Sequence, residues 1–107
     1  IWWSAEPAIL KGFLDRTLTP GFAYRYVGGK SQGLLKDKTA ALIVTSRAPS
    51  FIYRIFGGPI WRWKSMVLGF VGIRLTKSLM LGRIEQDVDT PAYRAAFVET
   101  VRAYARG

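Results

Sequence analysis

The 107-residue chain contains neither cysteine nor histidine. The first absence excludes a disulfide framework and any cysteine metal site, and is compatible with a cytoplasmic location. The second removes the usual zinc sites, Ser-His triads and imidazole acids together, so no metal is expected. Acids are scarce, seven against sixteen Lys and Arg, and unclustered, so no protein general base stands out. No apolar run is long enough to cross a bilayer as a helix.

What the chain does have is apolar residues, half of the total, and a net charge of +9. Such an apolar fraction supports a packed core rather than disorder. The charge fits an anionic partner, but it equally fits compensation elsewhere or simple solubility. The Lys and Arg are scattered and form no block, so nucleic acid is not the expected partner. Trp61-Arg62-Trp63-Lys64 has the interleaving that stacks bases, yet the same residues fit one stripe of a helix.

The stretch Ile1–Arg16, I-W-W-S-A-E-P-A-I-L-K-G-F-L-D-R, sets the pattern. An apolar strand end runs into a small polar turn, and Pro7 then opens a helix predicted over 7–18. Ile9, Leu10, Phe13, Leu14 and Leu18 share its apolar face. Glu6 reads as an exposed acid at a helix start, favoured by the macrodipole. Thr19-Pro20-Gly21 ends the helix, and Phe22, Tyr24 and Tyr26 then alternate on one side of an extended segment. Residues 27–33 read as a flexible loop, with Gly28-Gly29-Lys30 a turn rather than a phosphate loop.

Thr39–Thr45 is a short, nearly continuous apolar run, the pattern of a strand buried on both faces of a parallel sheet. Gly57-Gly58-Pro59 opens a second helix over 60–71, stopped by Gly72, and Leu75–Leu81 is the last strand. Asp89-Thr90-Pro91 starts a helix over 91–105, with Tyr93, Phe97, Val101 and Tyr104 on its inner face. The order is the βα alternation of an α/β, doubly wound parallel sheet, in its second half only, with about two strands and three helices. The two strands are expected to be parallel neighbours near the sheet centre. In such sheets ligands sit beyond the strands' carboxyl ends, where Trp2-Trp3-Ser4 and Thr45-Ser46-Arg47-Ala48 both fall.

Pro7-Ala8-Ile9-Leu10-Lys11-Gly12, Gly21-Phe22-Ala23-Tyr24 and Leu35-Lys36-Asp37-Lys38, at their mutual spacing, resemble the flavodoxin-like NAD(P)H:quinone oxidoreductases. The resemblance implies a flavin, FMN in preference to FAD, with NAD(P)H as co-substrate and a quinone-like small acceptor. It implies that the backbone of Trp2, Trp3 and Ser4 and the loop Thr45, Ser46, Arg47, Ala48 hold the flavin ring. It also implies that Tyr53 is the catalytic tyrosine at the ring's edge, and that Tyr24 and Tyr26 line the acceptor pocket beside a second subunit. Arg47 and Ala48 stand where the family usually has two glycines. A chain without its own nucleophile or base would draw its chemistry from such a cofactor.

Two further expectations follow. Residues 1–107 form the C-terminal portion of one flavodoxin-like domain, with the phosphate-binding N-terminal portion outside them. A homodimer is expected, its contact near Tyr24, Tyr26 and the face from Trp61 to Met66, because the aromatic surface exceeds what so short a chain can bury. The competing reading is a non-catalytic flavodoxin-like fragment that self-associates or binds an anion.

Overall fold

The computed structural model describes all residues, Ile1–Gly107. Helix α1 (Ala8–Thr17) leads through the 18–23 turn into strands β1 (Tyr24–Val27) and β2 (Lys30–Gly33). Strand β3 (Thr39–Thr45) follows, then helix α2 (Ser50–Ile55) and helix α3 (Pro59–Arg62). The latter continues as a π-helical segment (Trp63–Leu68) and then as α4 (Gly69–Val71). Strand β4 (Arg74–Leu81) and helix α5 (Pro91–Ala105) complete the chain. No helix is long and apolar enough to cross a membrane.

β3 and β4 pair in parallel, with Thr39 opposite Arg74 and Thr45 opposite Leu81, and one irregularity at Ala40/Ala41. The parallel arrangement expected from the apolar runs is therefore present. Helices start and stop where their punctuation predicts. Thr90 accepts from the Tyr93 amide, and Gly72 closes α4 at φ 93°.

Three features differ from the sequence reading. Residues 27–33 are not a flexible loop: β1 and β2 form an antiparallel hairpin, Tyr24 opposite Gly33. Gly28 and Gly29, at φ 56° and 78°, supply the doubly left-handed turn whose twist matches paired strands. Helix α2 forms where the sequence reading assigned no element, its start fixed by Pro49 at the cap. Finally, β3 is not buried on both faces. Its sheet has two strands, so alternate side chains face solvent, and Ile43 is 53% exposed. The fully packed core is correspondingly small, centred on Ala23, Leu68, Val71 and Leu81. The radius of gyration, 15.9 Å, exceeds the roughly 13 Å of a compact domain of this length.

Two polar clusters fix the framework. The first is a clasp between residues 56 positions apart. The Glu6 carboxylate accepts from the Arg62 guanidinium and from Trp63 Nε1 at 3.1 Å. Its side chain is only 4% exposed, so the sequence expectation of an exposed acid is corrected. Burial pushes the Glu6 carboxyl up. Its own backbone N–H and the donors of Arg62 and Trp63 outweigh that and hold it below the usual carboxylate range. The second cluster is Asp89, which accepts from the Glu85 amide at 2.7 Å and from Arg94 Nε and Nη2 at 2.6 Å each. Hydrogen bonding to Arg94 is the main cause of a carboxyl pulled down to about 2.

Glu6→Gln keeps the shape but removes the charge that Arg62 faces, and should cost about 1–3 kcal/mol in urea unfolding. An unchanged midpoint would show that the clasp contributes nothing. Asp89 has a depressed carboxyl, so its stabilisation is complete above the ordinary Asp value of 3.8 and lost as pH falls through about 2. Acid titration of the fold should therefore show a loss across that window that Asp89→Asn flattens. Hydrogen exchange at the Glu85 amide reports the same release locally.

Candidate functional site

The chain's first residues lie against the carboxyl end of β3. The Ile1 amino group donates to the Thr45 carbonyl at 2.7 Å. Beyond that contact the backbone reverses at once: Trp2 and Ala5 exchange N–H···O bonds of 2.8 Å, with Trp3 and Ser4 at the corner. Both corner residues have positive φ, 48° and 61°. For a bulky indole-bearing residue this conformation is strained, and such strain collects at functional sites. Trp3 gains no packing in return, being 100% exposed.

The loop after β3 is rigid on its inner side. The Ser46 amide donates to the Leu81 carbonyl at 2.9 Å, and its carbonyl accepts from the Ile84 amide at 3.1 Å. Ser46 is buried, and its hydroxyl donates to the Ala48 carbonyl at 2.7 Å. Arg47 pairs with Glu85 at 3.1 Å. Gly82 permits this closeness, since a Cβ there would lie 2.7 Å from the Ser50 nitrogen and 2.9 Å from the Ala48 oxygen. Tyr93, from α5, caps the Gly82 carbonyl through its hydroxyl.

The geometry gathers the sequence-predicted residues into separate groups. The Trp2-Trp3-Ser4 turn follows directly on Ile1, which bonds to Thr45, and Ser46, Arg47 and Ala48 continue from Thr45. Thr45 lines an apolar cavity of about 250 Å³ with Ile1, Pro7, Leu10, Ile60 and Trp63. Tyr53 does not line that cavity. It faces another of about 590 Å³ with Ser50, Arg54, Trp61, Lys64 and Ser78. Tyr24 lies elsewhere again, its ring 5.1 Å from that of Phe70 and 5.9 Å from that of Tyr26. It lines a cavity of about 290 Å³ with Glu6, Arg62 and Met66. Tyr26 is 66% exposed on the hairpin.

Sequence reasoning did not bring Arg54, Lys64 and Ser78 together. They come from α2, the π-helical segment and β4, and no spacing in the chain links them. Glu6 carried a signal that was legible only afterwards: an acid beside a tryptophan pair needs a distant cation to become buried.

The comparisons agree with this architecture. The family described as having a flavodoxin-like fold matches residues 1–105. An "Uncharacterized NAD(P)H oxidoreductase" of Haemophilus influenzae is 47% identical over 57 residues, 53% of this chain and 28% of the relative. An "FMN-dependent NADH:quinone oxidoreductase 2" of Listeria monocytogenes is 29% identical over 111 residues, 99% of this chain and 49% of the relative. The crystal structure of Smu.1420 from Streptococcus mutans superposes with a TM-score of 0.75 at 32% identity, covering 96% of this chain and 54% of that one. The chain thus spans half or less of the curated relatives it matches here. With the family match running from the strained Trp3 turn to the end of α5, the chain belongs to the flavodoxin-like fold family.

Proposed function

We propose a flavin-dependent NAD(P)H oxidoreductase that passes two electrons to a quinone-like acceptor, with these 107 residues as the C-terminal portion of its flavodoxin-like domain. The observation that carries the reading is the Trp3-Ser4 corner, strained and exposed, which the chain forms directly after Ile1 bonds to the Thr45 carbonyl at the sheet's carboxyl edge. A planar ring fits such an edge: the indole offers a flat wall, and the Trp3 and Ser4 N–H groups have no backbone partner in the chain. The names of the relatives support NAD(P)H as reductant, and that of the Listeria protein supports FMN.

Bound there, the flavin supplies two-electron carriage between the nicotinamide and the acceptor. The chain's own residues orient and shield. Trp2, Trp3 and Ser4 present one side, and Thr45 with the Ser46-Arg47-Ala48 backbone the other. The Leu81–Gln86 segment clamps that backbone from behind, so it needs no rearrangement to receive a ring. Tyr53 lines the neighbouring hollow, which shares Ile60 with the one under Thr45, and from there it would donate a hydrogen bond where negative charge develops, a contribution that matters more in the transition state than before it. Its hydroxyl has no partner within the chain and so is free for that role. Tyr24 and Tyr26 form the acceptor's aromatic wall.

A homodimer belongs to the same proposal. Tyr26, Trp61 and Met66 are 66%, 59% and 63% exposed, apolar surface that a second copy would cover. A cytoplasmic location belongs to it too, supported by the cysteine-free composition.

The test is an absorbance spectrum of the purified full-length protein, followed by NAD(P)H oxidation with a quinone. Visible flavin bands and quinone-dependent turnover are expected, and the turnover would not be seen from a non-catalytic fold. Tyr53→Phe should slow flavin reduction about tenfold, equivalent to about 1.4 kcal/mol, while the flavin content stays constant. Equal reduction rates would remove Tyr53 from the mechanism.

A further inference from the structure

The cavity of about 590 Å³ that Tyr53 faces is lined by two cations and no acid. Arg54 and Lys64 both line it. Neither is among the cations that form ion pairs, namely Lys11, Lys38, Arg47, Arg62, Arg94, Arg102 and Arg106. Two like charges in one concavity repel, and an acid would ordinarily offset them. Six of the seven acids are engaged elsewhere: Glu6, Asp15, Asp37, Glu85, Asp89 and Glu99. The seventh, Asp87, lies in a different hollow with Arg47 and Arg83.

The rest of the lining is equally specific. Ser50, Tyr53 and Ser78 contribute hydroxyls, and Trp61, 59% exposed, contributes a flat face. No side-chain polar atom in the chain is both buried and unpartnered, so these hydroxyls are open to a ligand or to water. Solvated surface cations alone would explain the two charges. They would not explain their convergence with three hydroxyls and an indole in a hollow of ligand size. That set complements a molecule with several anionic oxygens next to a planar ring.

We propose that this cavity receives the diphosphate of the dinucleotide reductant. Arg54 and Lys64 would bind its oxygens, and Trp61 would lie against a ring. The inference rests on the oxidoreductase reading and deepens it, because it assigns the reductant's phosphates to this portion of the chain. The diphosphate is favoured over an outlying phosphate by covalent distance. Tyr53 lines the same cavity, and in a dinucleotide the diphosphate is separated from the nicotinamide by one ribose.

The experiment is single-turnover flavin reduction in the full-length holoenzyme. The two reductants are NADH and reduced nicotinamide riboside, which has the same reacting ring without phosphates. In Arg54→Gln and Lys64→Gln the apparent Kd for NADH should rise about tenfold each. The Kd for the riboside should move by less than about twofold, and the NADH effect should shrink with added salt. Lys64→Arg should recover NADH binding. Arg54 and Lys64 are both solvent-exposed on their helices, so either substitution leaves the fold intact. Equal losses for both reductants, or no loss for NADH, would overturn the inference. If the wild-type holoenzyme is reduced by neither compound, it is the oxidoreductase reading itself that fails.

Discussion

Glu6 keeps its negative charge with almost none of its side chain in water, and this is possible only because Arg62 and Trp63 donate to it. Removing one partner of such a pair strands the other in a medium that solvates it poorly. The consequence is directional. Glu6 sits between the Trp3-Ser4 corner and α1, while Arg62 and Trp63 sit where α3 becomes the π-helical segment. One carboxylate therefore ties the chain's first reversal to the helix that crosses the β3–β4 pair. The same Glu6 borders both the apolar hollow under Thr45 and the hollow that holds Tyr24, so its position sets the walls of each.

The carboxyl edge of the sheet is organised by a different economy. The Ser46 amide and carbonyl bond to Leu81 and Ile84, its hydroxyl to the Ala48 carbonyl, and the Arg47 side chain and carbonyl to Glu85 and Gln86. Asp89 and Arg94 brace that returning segment, and Tyr93 caps Gly82. Both Arg83 and Glu85 adopt left-handed backbone there, at φ 57° and 61°. The loop is thus stiffened from one side and presents its other side outward, which is the arrangement a preorganised binding edge needs.

Charge is distributed in a way the total conceals. Every acid but one is spent on a cation of the chain itself, and the excess of +9 is left to side chains such as Arg54 and Lys64. A basic composition alone does not distinguish solubility from binding. Convergence of unpaired cations in one concavity with hydroxyls and an indole does, because only position can make scattered charges additive.

Much of the fold was legible in the chain. The apolar run Thr39–Thr45, the Pro91 start and the Gly72 stop determined their elements, since each acts through local backbone sterics or a period of two or 3.6 residues. The motifs around Pro7 and Gly21 carried the family. The hairpin at Gly28-Gly29 is also written there, in a dipeptide that tolerates two successive left-handed residues, although its polar, glycine-rich flanks read equally as a loop. What only the tertiary structure decided is where side chains from distant elements meet. Glu6 found Arg62 across 56 residues, Arg54 and Lys64 came to one hollow from separate helical segments, and Tyr53 was set apart from Thr45. β3 has the composition of a doubly covered strand, yet its burial depends on how many neighbours flank it. Local sequence fixes backbone geometry through short-range sterics, whereas burial and pairing are sums over neighbours that the chain supplies only once it has folded.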